Sequence, residues 1–428
     1  MWPELRRRDW QHGPLVAWLA ILGAITCGAI AWRGVVLDSG LFRLAGIDFG
    51  VYRTQAQVLL SAGGGHIYDV ALNTRLMQPL TAFSTVPKAP IPPGPPAAYP
   101  PLFVWLVTPL VRLSPAAGLA AWTALNFAGA LWLAWRCAQF FPPKQRLLAG
   151  GLVLSSFPVF FALLVGQPVI FLAGAVAEAF LCFRAGRDAR GGLWIAALLL
   201  KPQYGVLIAV VLILKRRWGA VLGAAAGSAV VVIGSLVVGG PASVLSYPSA
   251  LSEMAGFKGT GTLAIPTDMV NWRGLVLRLA PNIDDRTGIA VTLVLGALTV
   301  GVALWAWRGP WQPHAEDFAA KWLVLLAATL LATYQSHPHG LVLMLAPLCA
   351  FLASRPAGKL VRAAVRLAIV LPPPAFALTF SGELVSWPLT MGLLVLLGAG
   401  CATAVRGSLA AVAHEDRGHG VAIGLAPA

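Results

Sequence analysis

Long runs of apolar residues, separated mostly by short polar connections, fill most of the 428-residue chain. Most runs are about 20 residues long, the length that a helix needs to cross a hydrocarbon core of about 30 Å. Alternating short strands typical of a membrane β-barrel are not part of the pattern. The runs are residues 15–36, 99–113, 116–140, 146–166, 168–184, 191–214, 218–240, 288–307, 319–336, 340–354, 361–382 and 384–405. They predict an all-α, polytopic transmembrane helical bundle of about 12 helices.

Two longer polar segments, residues 37–98 and 241–287, interrupt this pattern. We expect both to be external loops that carry short surface helices. The run that follows the first basic residues is too long for a cleaved signal peptide and is predicted to be the first membrane helix. The domain division is then a cytoplasmic N-terminus at 1–14, a transmembrane domain at 15–405, and a cytoplasmic tail at 406–428 without stable structure.

Basic residues at the ends of the runs predict the orientation of the bundle. Arg6–Arg8, Lys215–Arg217 and the basic residues of 355–366 fall on one side if the chain follows the positive-inside bias. The two long loops and the turn Ser336–His339 then share the opposite, external side.

One region conflicts with the charge rule. Four crossings between residues 99 and 184 would leave the arginines of 184–190 outside. Either one run is re-entrant, or 191–214 crosses alone and is broken midway at Lys201. The residues by themselves leave both interpretations open.

Composition excludes several protein classes. The chain is 58% hydrophobic and 11% charged, against about 25% charged residues in a typical soluble domain. This excludes an ordinary cytosolic enzyme, and so many large apolar residues exclude a disordered chain. The net charge of +15 comes from residues at the ends of runs and not from one basic face, so no nucleic-acid partner is predicted. The five cysteines form no CxxC pair, so neither a metal site nor a disulfide framework is indicated.

The first long loop contains two distinct segments. Residues 41–62 carry apolar residues at helical spacing and predict an amphipathic helix on the membrane surface, which residues 63–65 (GGG) end. Residues 87–101 are proline-rich and are expected to be extended.

Acidic residues are scarce, so each one near an apolar run is a candidate for chemistry. Asp48 lies among apolar residues just beyond the first run. A carboxylate that has lost hydration there has a raised pKa, which suits a general base. The alternative is a helix cap, or a partner for Arg43 or Arg53. Glu178, in the middle of an apolar run, is either functional or a neutral side chain bonded to a neighbouring helix.

The sequence SHPHG at 336–340 places two histidines at the external end of a predicted helix. His337 and His339 are two positions apart and do not share a helical face, and no nearby acidic residue or cysteine completes a zinc site. A hydrogen bond from one of them to a phosphate is the more plausible role.

Lys201 lies inside an apolar run beside Pro202. A lysine there needs a negative partner, which the phosphate of a lipid could supply, unless it extends to the interface as a structural residue. Gln167, Asn271 and Arg273 add polar donors at interrupted helix ends. No nucleotide-binding glycine motif is present, so an activated substrate on the external side would have to be carried on a lipid.

Taken in order, these motifs resemble glycosyltransferase family 87. They are D-F-x-V-Y (Asp48 to Tyr52), Y-P-P (Tyr99 to Pro101), G-Q (Gly166 and Gln167), K-P (Lys201 and Pro202) and the turn Ser336–His339. The resemblance extends over about residues 15–400.

The resemblance implies a GT-C fold with its active site on the non-cytoplasmic side, and polyprenyl-phosphate sugars as donors, often polyprenyl-phosphomannose. It implies that Asp48 is the catalytic base of an inverting transfer, that His339 or His337 lies near the donor phosphate, and that Lys201 helps to neutralise it. Neither a cofactor nor a metal is implied.

The remaining candidates complete the predicted binding site. From the residues themselves, Arg53 and Arg273 are further candidates to neutralise the phosphate. We assign Tyr52, Tyr99, Gln167 and Asn271 to substrate binding.

The predicted function is therefore an integral-membrane hexosyltransferase, most simply a mannosyltransferase, of the bacterial inner membrane with its site facing the periplasm or exterior. Its expected partners are a polyprenyl-phosphate sugar donor, a glycolipid or envelope-glycan acceptor, and membrane lipids. The alternatives are a transporter or flippase for a lipid-linked glycan, which should show matched broken helices in its two halves, and a noncatalytic membrane scaffold.

Overall fold

The computed structural model describes residues 46–77, 98–254, 268–354, 359–370 and 387–420, and these residues form helices and turns without any strand. The all-α prediction is therefore confirmed. The predicted first span at 15–36, the N-terminus before it and most of the proline-rich segment 87–101 lie outside the described residues.

The helices follow the predicted apolar runs closely. They are α1 Ile47–Ala62, α2 Val70–Met77, α3 Pro101–Val111, α4 Pro115–Ala138, α5 Arg146–Leu154, α6 Phe157–Val165, α7 Val169–Arg184, α8 Asp188–Ile195, α9 Val206–Leu214, α10 Trp218–Met254, α11 Trp272–Leu279, α12 Asp285–Ala306, α13 Phe318–Ala332, α14 Leu345–Ala353, α15 Lys359–Val370 and α16 Trp387–Gly420. Short 3-10 turns occupy Gly64–His66, Pro143–Gln145, Ala196–Leu200, Pro202–Tyr204 and Pro338–Met344.

The number of about twelve crossings is not confirmed. Within the described residues, α4, α10, α12 and α16 contain stretches long and apolar enough to cross a membrane, and the pair α5–α6, bent by 47°, could add a fifth. Other apolar helices among these residues are only 10–17 residues long, shorter than the hydrocarbon core requires.

Two helices form the centre of the bundle. Every residue of α13 from Phe318 to Leu331 is buried, and α7 is buried continuously from Leu172 to Phe180. The outer helices α10 and α12 instead expose large apolar side chains, such as Val237 and Leu293. Apolar exposure on outer helices is expected where lipid replaces water as the solvent.

The stretch 188–214 enters the bundle and returns to the end from which it came. Helix α8 leads to a break at Lys201, and α9 leads back, so that Asp188 at the start pairs with Arg217 just after the end. The stretch is therefore a re-entrant hairpin, broken at Lys201. It does not cross alone, and 184–190 and 215–217 therefore lie at the same end of the bundle.

We call this end the basic end, defined by residues 184–190, 215–217 and 308–317. Lys215 Nζ donates to the carbonyl oxygen of Gly309 at 2.6 Å, and the Arg217 guanidinium lies 5.5 Å from the ring centre of Trp311. These contacts join all three connections.

Glycines allow the hairpin to pack directly on α10. A Cβ atom at Gly192 would lie 1.9 Å from the carbonyl oxygen of Ala220, and one at Gly223 would lie 2.0 Å from that of Ala189. Both distances are far below van der Waals contact, so these two backbones approach as closely as small-residue interfaces of membrane helices do.

Glu178 has a structural partner. Arg136 of α4 places Nε 2.5 Å from Glu178 Oε1 and Nη2 2.8 Å from Oε2, a two-pronged ion pair between α4 and α7. Both side chains are at least four-fifths buried. Of the two interpretations of Glu178, a bond to a neighbouring helix is the one observed, with an ionised partner.

Removing one member of this pair should destabilise the bundle more than removing both. Arg136→Met or Glu178→Met leaves a buried charge unpaired, and each should lower the free energy of unfolding by about 3 kcal/mol. The double variant should recover most of that loss, because two apolar side chains of similar volume replace two charges. Thermal unfolding in detergent of the four proteins measures this, and a double variant as unstable as the sum of the singles would contradict it.

Candidate functional site

Asp48 lies in the first turn of α1. The helix begins after Gly46, whose φ of 68° lies in the left-handed region and whose N–H donates to the carbonyl oxygen of Leu164 at 2.8 Å. The first turn of a helix carries unpaired N–H groups and a partial positive charge, which favour a carboxylate. Asp48 itself is only partly buried.

A chain of hydrogen bonds holds this carboxylate. Helix α6 ends at Gly166, with φ of 78°, and Gln167 then donates from Nε2 to Asp48 Oδ2 at 2.7 Å. Tyr99 donates its hydroxyl to Gln167 Oε1 at 3.2 Å, and the hydroxyl of Tyr52 lies 3.1 Å from that of Tyr99. Oδ2 is thus the carboxylate oxygen that the amide holds.

Surrounding protein raises the pKa of Asp48 to about 6, because burial removes hydration from the ionised form. The positive charge of Lys201 and the hydrogen bond from Gln167 act in the opposite direction and lower it. A carboxyl with this pKa is ionised at neutral pH and can still accept a proton.

Lys201 projects from the tip of the re-entrant hairpin. Its backbone lies at the break between two 3-10 turns, with φ −137° and ψ 77°. Nζ lies 3.5 Å from His339 Nε2 and 5.6 Å from the ring centre of Tyr99. Lys201 therefore lies beside the histidine turn, and it is close enough to Asp48 for its charge to lower the pKa of that carboxyl.

The two histidines stack on each other, with ring centres 5.6 Å apart and an interplanar angle of 25°. His339 is buried and His337 is partly exposed. Burial, together with the positive charges of Lys201 and Arg273, lowers the pKa of His337 to about 3. Its imidazole is therefore neutral at pH 7. In the described part of the chain, no three His, Cys, Asp or Glu side chains gather as metal ligands would.

The described part of the predicted loop 241–287 is bound to the residues that lead into the histidine turn. Asn271 caps α11, accepting from the N–H of Gly274 at 3.0 Å, and donates from Nδ2 to the carbonyl oxygen of Thr333 at 2.8 Å. Arg273 donates from Nη1 to the carbonyl oxygen of Tyr334 at 3.1 Å. The side chain of Asn271 thus joins two segments, while Arg273 brings a buried guanidinium close to His337.

Arg53 is not brought to this group. Its Nη2 donates to the carbonyl oxygens of Val111 at 3.2 Å and Leu113 at 2.7 Å, at the end of α3. This arrangement satisfies carbonyls that a helix terminus leaves unpaired. Arg53 therefore holds α1 against α3, and its role as a phosphate ligand stays a prediction without support from its position.

Helix α1 is also more enclosed than predicted. All residues from Phe49 to Ala56 are buried, so the helix does not lie on the surface with one wet face. The buried guanidinium of Arg53 has internal partners, and hydrophobic spacing does not reveal such partners. The predicted end of the helix at the GGG segment is confirmed, because α1 ends at Ala62 and Gly63 has φ of 86°.

Sequence reasoning missed four tyrosines that surround the predicted residues: Tyr68, Tyr204, Tyr247 and Tyr334. Tyr68 donates its hydroxyl to the carbonyl oxygen of Tyr99 at 2.5 Å, and its ring centre lies 6.1 Å from that of Tyr247. Tyr204 and Tyr334 interact electrostatically with each other. The sequence positions could have pointed to these tyrosines. Tyr68 and Tyr247 fall in the two predicted external loops, while Tyr204 follows Lys201 closely and Tyr334 precedes the histidine turn.

The sequence profile described as Glycosyltransferase family 87 matches residues 97–334. This stretch holds Tyr99, Gln167, Lys201, Asn271 and Arg273, whereas Asp48 and both histidines lie outside it. No curated protein and no solved structure gave a match.

The matched stretch is more than half of the chain. Its helical architecture carries several membrane-length apolar segments. The chain belongs to glycosyltransferase family 87.

Proposed function

We propose that this membrane glycosyltransferase transfers a hexose, most simply mannose, from a polyprenyl-phosphate donor to a hydroxyl group of a glycolipid or envelope glycan. The observation that carries the proposal is the placement of Asp48, held by Gln167, beside Lys201 and the histidine turn. One proton acceptor and one cation in the same partly open site are what a displacement at an anomeric carbon needs.

Asp48 is the general base of the proposed reaction. Its Oδ1 accepts the proton of the acceptor hydroxyl as that oxygen forms a bond to the anomeric carbon. The bond between the anomeric carbon and the phosphate oxygen breaks, and its electron pair leaves with polyprenyl phosphate. One displacement inverts the anomeric configuration.

The leaving phosphate requires positive charge and hydrogen-bond donors. Lys201 supplies an ammonium group, Arg273 a guanidinium group, and His337 or His339 a neutral imidazole N–H. These side chains converge from three separate segments of the chain, and each of the four has a contact within the protein. They are positioned before substrate arrives.

A lipid-linked donor fits the surroundings of the site. The groups lie in an apolar bundle, so a donor carried by a polyprenyl chain can approach from the membrane. The basic end of the bundle, by the positive-inside bias, faces the cytoplasm. We infer that the opposite end, with Asp48 and both external loops, faces the periplasm or exterior of a bacterial inner membrane.

Asp48→Asn should reduce transfer about 10³-fold, because an amide cannot accept the proton of the acceptor hydroxyl. Membranes that contain the protein are incubated with labelled polyprenyl-phosphate mannose or arabinofuranose and a glycolipid extract, and labelled product is counted. Asp69→Asn is the matched control, since Asp69 is exposed and only caps α2. Normal transfer by Asp48→Asn at normal expression would remove Asp48 from this role.

The pH dependence of transfer should report the ionisation of Asp48. With a pKa of about 6, kcat/KM should be level above about pH 7 and fall about tenfold for each pH unit below about pH 6, since only the carboxylate accepts the proton.

Gln167→Ala should move this acidic limb to higher pH. In the parent protein the hydrogen bond from Gln167 stabilises the ionised carboxylate, so its removal should raise the pKa of Asp48. Asn126→Ala is the control, since Asn126 is also buried and donates only to its own helix at Trp122. An acidic limb that is unchanged by Gln167→Ala would mean that the titrating group is not Asp48.

Lys201→Met should raise the KM for the polyprenyl-phosphate donor about 10- to 100-fold, because a charge-assisted hydrogen bond to phosphate is lost. Lys215→Met removes the same charge at the basic end and should leave the donor KM unchanged. Equal effects of the two substitutions would show that net charge, and not the site, governs donor binding.

A further inference from the structure

All six tyrosines of the chain gather at the end of the bundle opposite the basic end. Tyr52 contacts Tyr99, Tyr99 contacts Tyr68, and Tyr68 contacts Tyr247. Tyr334 lies close enough to Tyr247 and Tyr204 to interact with both electrostatically. Tyr52, Tyr99 and Tyr204 are buried, so this cluster is not the lipid-facing aromatic belt of a membrane protein.

Three of these tyrosines, Tyr68, Tyr247 and Tyr334, are only partly buried. We call them the tyrosine wall. It is joined to the groups already described at both sides: Tyr68 through Tyr99 and Gln167 to Asp48, and Tyr334 through Arg273 to the histidine turn. The wall, the carboxylate and the cations therefore belong to one continuous site.

The hydroxyl of Tyr247 is buried and has no hydrogen-bond partner in the described part of the chain. A buried hydroxyl without a partner costs about 1–3 kcal/mol, and most such groups in folded proteins are satisfied. Tyr68, in contrast, uses its hydroxyl on the carbonyl oxygen of Tyr99. The wall thus combines ring faces with one hydroxyl that a ligand can satisfy.

We propose that the tyrosine wall binds the saccharide part of the acceptor, with the Tyr247 hydroxyl bonded to a sugar hydroxyl and the rings against the sugar C–H face. The inference rests on the proposed function, because it names the acceptor side of the same site. A sugar offers both surfaces that the wall needs, whereas a polyprenyl tail would leave the Tyr247 hydroxyl without a partner.

The division between donor and acceptor follows from the reaction geometry. In an inverting displacement the acceptor oxygen approaches opposite to the leaving phosphate. The cations at Lys201 and Arg273 mark the phosphate side, so the acceptor takes the remaining, uncharged wall. Asp48 is linked to both groups, as a base that receives the acceptor proton must be.

The test measures saccharide binding without catalysis. The full chain in lipid nanodiscs is titrated with methyl α-mannopyranoside, methyl α-glucopyranoside and methyl α-arabinofuranoside, and saturation-transfer difference NMR reports binding. Tyr247→Phe, which removes only the hydroxyl, should weaken binding of the preferred glycoside about tenfold. Ser249→Ala is the control, since it removes an exposed hydroxyl from the same helix. Tyr247→Trp, which keeps a ring and an N–H donor, should retain more affinity than Tyr247→Phe.

Each outcome decides the inference separately from the proposed function. Equal binding by Tyr247→Phe and the parent protein, or no binding of any glycoside, overturns the tyrosine wall, even where Asp48→Asn abolishes transfer. Selective weakening by Tyr247→Phe supports the wall, even where no polyprenyl-phosphate sugar is used. In transfer assays of Tyr247→Phe, a raised KM for the donor with an unchanged KM for the acceptor would place the donor at this wall. That result would overturn the assignment of the wall to the acceptor.

Discussion

The site depends on holding a carboxylate and an ammonium group in one apolar bundle without letting them neutralise each other. Burying either charge is costly, and the usual remedy is direct ion pairing. Here each charge is held by a group of another kind: Asp48 by the amide of Gln167, and Lys201 next to the imidazole of His339. Because Asp48 and Lys201 do not form an ion pair with each other, the carboxylate stays available to accept a proton and the ammonium group to attract an anion. The Arg136–Glu178 pair shows the opposite solution, with both charges used to join helices.

Prolines break the helices next to several polar side chains of the site. Tyr99, Gln167, Lys201 and His337 each stand immediately before a proline. A proline disfavours the helical conformation of the residue before it and cannot donate a backbone hydrogen bond. Each of these residues therefore marks a break between helical segments, as the extended backbone of His337 shows, with φ −96° and ψ 168°. A break frees the backbone to turn, so a polar side chain can project into the bundle where a continuous helix would point it at lipid or at a neighbouring helix.

Much of the helical framework follows from hydrophobic runs, because burial in lipid or protein forces the same local solution wherever a run occurs. Gln167 and Lys201 could be selected in the same way, as polar residues that interrupt such runs. The path of the chain between these two residues could not be predicted from the sequence. The charge rule showed that something in 99–214 was unusual, but the hairpin is fixed by contacts such as Asp188 with Arg217 that join residues far apart in sequence.

The enclosure of α1 illustrates the same limit on local patterns. Arg53 looks like an anion ligand until the carbonyls of Val111 and Leu113 are seen to use it. The tyrosine wall likewise depends on long-range contacts, since Tyr68 and Tyr247 lie 179 positions apart in the sequence. Local patterns identify which residues are unusual, whereas their partners depend on the tertiary fold.

The length of α10 explains how the segment after Gly240 reaches the site. Its 37 residues, at 1.5 Å each, would extend about 55 Å as a straight helix, well beyond a hydrocarbon core of about 30 Å. The helix is instead broken at Gly240, with φ 75° and ψ 171°, and the part beyond the break carries Tyr247.

Gly64 packs against the carbonyl of Gly239 so closely that a Cβ atom would lie 1.8 Å from the oxygen. A side chain at Gly64 would force the first loop away from the break in α10, and the contact between Tyr68 and Tyr247 would open with it. The first polar segment is therefore fixed to α10 at a backbone contact beside the break, and the contact between Tyr68 and Tyr247 depends on the absence of a side chain at Gly64.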